Sequence, residues 1–156
     1  MSSHGEHSAE TEQAIATAID GLVALAIRGG SRDISLTSAA TLATLERGGP
    51  CRLTDLAEIE GVAQPSMSTL VNGLERSGLA ERRPSPDDGR VVLVTLTPAG
   101  AAYLQARREA RAGRIAELIR MLPAGQTATL AAAIPALTSL RDLEARRRMS
   151  TAAGPA

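Results

Sequence analysis

Tyr103 is the only aromatic residue in a chain of 156 residues; Trp and Phe are absent. Any core must therefore be assembled from Leu, Ile, Val, Met and Ala. Leu and Ala favour helix, and Ala alone contributes little buried area. The expected class is mainly α, and such a chain gains stability by burying apolar faces against a second copy of itself. The length fits a single domain with long flanking helices.

Apolar spacing places the helices. Ile15, Ile19, Leu22, Val23 and Ala26 recur with helical period, so a helix is predicted from about Glu10 to Arg28, stopped by Gly29-Gly30. A second is predicted from about Leu36 to Arg47, with Ser35 as N-cap and Gly48-Gly49-Pro50 as the break. A short third spans about Thr54 to Glu60, with Thr54 as its cap and Asp55 at the positive end of its dipole. After a Gly61-Val62-Ala63 turn, a fourth begins near Gln64-Pro65 and ends near Ser77-Gly78, with Met67, Leu70, Val71 and Leu74 on one face. Leu79 to Arg83 and Arg90 to Thr97 are predicted strands joined by the Pro84 to Gly89 turn. Thr97 caps a long helix running to about Leu122. Pro123-Ala124-Gly125 interrupts, and a last helix carries Leu130, Ile134, Leu137, Leu140 and Leu143, with Pro135 expected to kink or split it. Residues 1–9 and 148–156 are expected to be disordered tails around a single domain, 10–147.

Charge and reactive residues narrow the function. The formal net charge is zero, so no global basic field marks a nucleic-acid partner. Locally, residues 1–27 carry a net −4 and residues 107–120 a net +3. Every basic residue is Arg, so each cationic contact has a planar, multidentate donor. Cys51 is the one cysteine, and the histidines His4 and His7 lie in the N-terminal tail. No disulfide, Cys-based zinc site or His-based active site is expected, hence no enzyme, metal or cofactor. With no signal peptide or membrane-length apolar run, a soluble cytoplasmic protein is expected.

The middle of the chain carries the strongest pattern. Two short helices joined by a Gly-containing turn form a helix-turn-helix. Opposite the apolar face of the second lie Pro65, Ser68, Thr69, Asn72 and Arg76, with Gln64 and Ser66 at its start. Short hydroxyls and amides suit base edges in a major groove, Asn can bond adenine bidentately, and Arg reaches phosphate or guanine. Ser and Thr on a lone helix would be read as a merely solvated face. This face is nearly free of charge until Glu75 and Arg76, and a hairpin follows directly, so a wing is the better reading. Arg82 and Arg83 lie on its first strand. Pro86-Asp87-Asp88-Gly89 supplies the turn, with Gly89 expected at a left-handed φ. Arg90 at the tip suits a narrow minor groove, with Asp88 expected to brace its guanidinium.

Asp88-Gly89-Arg90 and the following "VVLVTLTPAG", residues 91–100, resemble the wing of the MarR family of bacterial regulators. That wing pairs an Asp-x-Arg tip with a Leu-Thr-x-x-Gly helix start. "LTDLAEIEGVAQPSMSTLVNGLERSGLAERR", residues 53–83, is similar to the same family's helix-turn-helix. The resemblance implies a winged helix-turn-helix DNA-binding lobe, residues 35–100. It also implies a helical dimerisation region from the N- and C-terminal helices, 10–28 and 98–147. It further implies a homodimer on a pseudo-palindromic double-stranded operator, acting as a repressor, with a small-molecule effector as a further partner. Ser66, Ser68, Thr69 and Asn72 would face bases or phosphates, Arg76 the backbone, and Arg90 the wing groove. Three features depart from the family pattern. Ala63 stands where a capping Ser is common, at about 1 kcal/mol. Gly73 lies inside the recognition helix, again at about 1 kcal/mol relative to Ala. The missing aromatics remove stacking partners for a phenolic effector. Cys51 lies between helices two and three, so the oxidant-sensing cysteine of some relatives, near the start of the first helix, does not carry over. The competing reading is a winged-helix association module without specific DNA binding.

Overall fold

The structure, a computed structural model, describes residues 3–28 and 33–152. Its elements are α1 (Ser3–Arg28), α2 (Leu36–Gly48), β1 (Cys51–Arg52), α3 (Leu53–Ile59), α4 (Gln64–Arg76), β2 (Ala80–Pro84), β3 (Val92–Leu96), α5 (Pro98–Arg120) and α6 (Ala124–Ala152). The chain forms two compact units, residues 1–113 and 114–156.

In the first unit the aliphatic core comes together as its spacing predicts. Met67, Val71 and Leu74 of α4 are buried against Leu42 and Leu45 of α2, Leu56 and Ala57 of α3, Val94 of β3 and Leu104 of α5. Leu70, on the same stripe, is partly buried against this cluster. Ser35 caps α2, its hydroxyl accepting from the Ser38 N–H at 3.0 Å. The lone aromatic is only partly buried, packed against the edge of this core. The Tyr103 hydroxyl donates to Asp33 Oδ2 at 2.7 Å and accepts from Arg107 Nη1 at 2.9 Å, tying α5 to the segment before α2. Partial burial and the Asp33 carboxylate push the Tyr103 phenol up from its ordinary value.

The sheet has three strands, not two. β1 pairs antiparallel with β3, Cys51 opposite Val94 and Arg52 opposite Leu93, giving the order β1-β3-β2. Two residues are too few to show a period-2 pattern. This pairing also corrects the start of α3. Arg52, held extended in the sheet, is the N-cap residue. Thr54 is already inside the first turn and donates to Asp55 Oδ1 at 3.1 Å instead of capping.

The ends differ from expectation too. α1 begins at Ser3, so residues 3–9 extend the helix rather than forming a tail, since adding a turn costs less than nucleating one. Ser8 supports that extension by donating to Glu12 Oε1 at 3.0 Å. α6 is one helix through Pro135 and reaches Ala152; a single missing N–H does not split a helix of 29 residues. The expected Gly29-Gly30 stop and the outermost tail residues, 1–2 and 153–156, lie outside the described residues. Among the described residues no helix is long and apolar enough to cross a membrane.

Candidate nucleic-acid interface

α4 starts without a side-chain cap: its N-cap is Ala63, whose carbonyl accepts from the Met67 N–H at 3.0 Å. Its apolar face is consumed by the core, which leaves Gln64, Pro65, Ser66, Thr69, Asn72 and Arg76 exposed and Ser68 half-buried. The Thr69 hydroxyl donates back to the Pro65 carbonyl at 3.1 Å, which leaves its oxygen free to accept. Gly73 is a half-buried gap in this surface. A methyl there would meet only the Arg76 Nη2, at 3.9 Å.

The exit from α4 aims the hairpin. Gly78 sits at φ +69, its N–H bonding the Glu75 carbonyl at 2.9 Å while the Leu79 N–H bonds the Leu74 carbonyl at 2.9 Å. That pair of bonds is a Schellman cap, and the buried Leu74 and Leu79 supply its apolar residues. Thr97 then locks the far end of the hairpin onto the same corner. Its hydroxyl donates to the Gly78 carbonyl at 2.6 Å and accepts from the Gly100 N–H at 3.0 Å, capping α5. A Cβ at Gly100 would stand 2.1 Å from the Leu79 carbonyl oxygen. The Thr-x-x-Gly pattern is therefore a packing requirement: only a glycine lets α5 start against the Leu79 backbone, just before β2.

At the tip, the Ser85 N–H bonds the Val91 carbonyl at 2.7 Å and the Val91 N–H bonds the Asp88 carbonyl at 2.9 Å. Residues 86–90 are exposed. Two expectations are corrected here. Asp88 does not hold the Arg90 guanidinium; its Oδ1 accepts from the Arg90 backbone N–H at 2.9 Å, an Asx turn. Gly89 is not at a left-handed φ; the described glycines there are Gly49, Gly61 and Gly78. The Asx turn reverses the chain without a positive φ at Gly89. The first strand is shifted by one residue from its predicted place, to Ala80–Pro84, and the second is shorter than predicted, Val92–Leu96, so Arg90 lies within the turn.

The two arginines of the first wing strand face different partners. Arg83 is largely exposed and pairs with Glu81 at 2.7 Å. Arg82 turns onto α4. Its Nη1 donates to Asn72 Oδ1 at 2.8 Å and to the Glu75 carboxylate. Nothing in the linear pattern shows this link, because its partners are 7 and 10 residues apart and on different elements. Among the described residues, Arg76 and Arg90 form no ion pair. Cys51 lies on β1, half-buried; burial and then the Asp55 charge push its thiol up, which keeps it protonated.

A family model described as the MarR family matches residues 34–92, the span from α2 to the start of β3. An HTH-type transcriptional regulator of Mycobacterium tuberculosis is 34% identical over 118 residues, covering 76% of this chain and 82% of the relative. The solved structure of RV1404 from Mycobacterium tuberculosis is 28% identical with a TM-score of 0.62, over 82% of this chain and 90% of that one. The same fold appears in a Staphylococcus aureus MepR mutant bound to an oligodeoxyribonucleotide. That chain is 19% identical with a TM-score of 0.60, over 85% of this chain and 96% of its own.

Proposed function

The chain belongs to the MarR family of transcriptional regulators, and from that premise we propose that it is a cytoplasmic repressor that binds an inverted-repeat operator as a homodimer. One observation carries this reading. The exposed face of α4 bears short polar groups, its one carboxylate, Glu75, is neutralised by Arg82, and the cations of Arg76 and Arg90 stand without ion pairs among the described residues. Such a surface suits a groove, where an unpaired Glu would be repelled. Gln64, Ser66, Ser68, Thr69 and Asn72 then face base edges or phosphates, Arg76 and Arg83 the backbone, and Arg90 the minor groove beside each half-site. Two-fold symmetry sets half-sites about 10–10.5 base pairs apart.

Release by a small molecule belongs to the same proposal. The only aromatic ring is already engaged by Asp33 and Arg107, so the effector is one held by polar and aliphatic contacts rather than by stacking. A mobility shift with the DNA upstream of the protein's own gene tests the reading. Specific retardation by wild type is expected. Arg90→Ala should weaken binding to all duplexes and lower the salt slope by up to about one unit. Unchanged affinity and slope would remove the wing from the interface. No retardation of any duplex would leave a winged-helix association module.

A further inference from the structure

With α4 as the recognition helix proposed above, the Arg82 contact with it bears on sequence choice. Both hydrogens of one guanidinium nitrogen are used: Nη1 donates to Asn72 Oδ1 at 2.8 Å and to the Glu75 carboxylate. Asn72 and Glu75 lie three positions apart on α4, hence on one face. Arg82 itself is held by the sheet, opposite Val94 of β3. An asparagine amide has one accepting edge and one donating edge. Turning the amide over would set its NH2 against the guanidinium and lose a charge-assisted bond.

We infer that Arg82, braced by Glu75, sets Asn72 as a hydrogen-bond donor toward DNA, so that the base it meets is guanine rather than adenine. An unrestrained asparagine pairs best with adenine, because it offers an acceptor to the N6 amino group and a donor to N7. Here the accepting edge is turned to Arg82 and the NH2 is left for the groove. Guanine presents two adjacent acceptors, O6 and N7, to that donor. The Arg82 cation acts in the same sense. It attracts the electron-rich O6 and repels the N6 amino group of adenine. Arg82 is thus a positioning residue: it acts through Asn72 and touches no base.

The test is selection of bound duplexes from a pool randomised across the half-sites, using full-length protein. Wild type should favour guanine over adenine by about tenfold at one position of each half-site. Asn72→Ala should erase the preference at that position alone. Arg82→Met should shift the same position toward adenine and leave the others unchanged, whereas Arg82→Lys, which keeps a cationic donor, should retain guanine. Glu75→Gln should shift it partway. It also reads the effect without removing Arg82, should Arg82→Met fail to fold by circular dichroism. An Asn72-dependent adenine in wild type overturns the role of Arg82, as does guanine retained by both Arg82→Met and Glu75→Gln. A preference that survives Asn72→Ala removes Asn72 as the reader. Recovery of no sequence by wild type overturns instead the reading of α4 as a recognition helix.

Discussion

The lobe core and the terminal helices use the same residue types at the same spacing, with opposite outcomes. Met67, Val71 and Leu74 on α4 are 0–2% exposed. Ile15, Leu22 and Val23 on α1 are about half exposed, as are Leu130, Ile134, Leu137, Leu140 and Leu143 on α6. Helical periodicity states that a face will be buried, not by what. In the lobe, three helices and a sheet close over the stripe within one chain. On α1 and α6 the stripes stay about half exposed in the single chain, and the homodimer proposed above would cover them.

The largest effect expected from this contrast is loss of assembly. Deleting residues 126–156 should abolish the dimer and DNA binding together, read by light scattering and by mobility shift. A full-length protein that scatters as a folded monomer at micromolar concentration would break the comparison.

Next come paired truncations. Met67→Ala opens a cavity in the closed core and should cost about 2–5 kcal/mol in denaturant unfolding at any protein concentration. Leu137→Ala removes a half-exposed side chain. Its cost should appear as a lower unfolding midpoint that is recovered by raising the protein concentration, because dimer stability is linked to mass action. Equal, concentration-independent costs would show that α6 is stabilised within its own chain.

Three glycines sharpen the contrast inside the lobe. Gly100→Ala drives a methyl into the Leu79 carbonyl and should destabilise by about 1–3 kcal/mol or more. Gly73→Ala meets no close neighbour in a helix and should stabilise by up to about 1 kcal/mol. Gly89→Ala, with open space and no left-handed φ, should stay within about 0.5 kcal/mol of wild type. Thermal unfolding of the three separates them by sign.

The smallest effect is electrostatic. Arg108 on α5 holds Glu46 on α2, and its hydrogen bonds and charge keep the Glu46 carboxyl below the ordinary glutamate range. A carboxylate lowered on folding stabilises above its unfolded pKa and loses that contribution as pH falls through the folded one. The pair is solvent-exposed, so Glu46→Gln should cost under about 1 kcal/mol at neutral pH and nothing in acid. A cost that persists in acid would assign Glu46 a packing role.

Much of this fold was legible in local pattern. Ser35 as a cap, the Gly61 turn, the α4 stripe and Thr97 before Pro98 are short-range features, and the structure has each where the spacing puts it. The interface was legible as a set of residues rather than as an arrangement. The polar positions from Gln64 to Arg76 share one face in the linear pattern, but the hand-off from Arg82 to Asn72 leaves no trace in it. Asp88 does partner Arg90, but through the backbone N–H rather than the guanidinium, because a turn side chain reaches a backbone N–H two residues on more readily than a flexible guanidinium.

The sequence by itself determined the helices, their order, the winged helix-turn-helix pattern and the apolar stripes, because these depend on residues within a turn or two of one another. Only the tertiary structure decided which stripes close within the chain and that two residues at Cys51 join the sheet. It alone also decided that Gly100, not Gly89, is the glycine the wing cannot spare, and that Arg82 orients Asn72. Each of these depends on where the backbone returns after a distant excursion: Thr97 to the Gly78 carbonyl 19 residues back, and Arg82 to an amide 10 residues back. Propensity and periodicity are summed along the chain, whereas steric exclusion and hydrogen-bond direction are set in space.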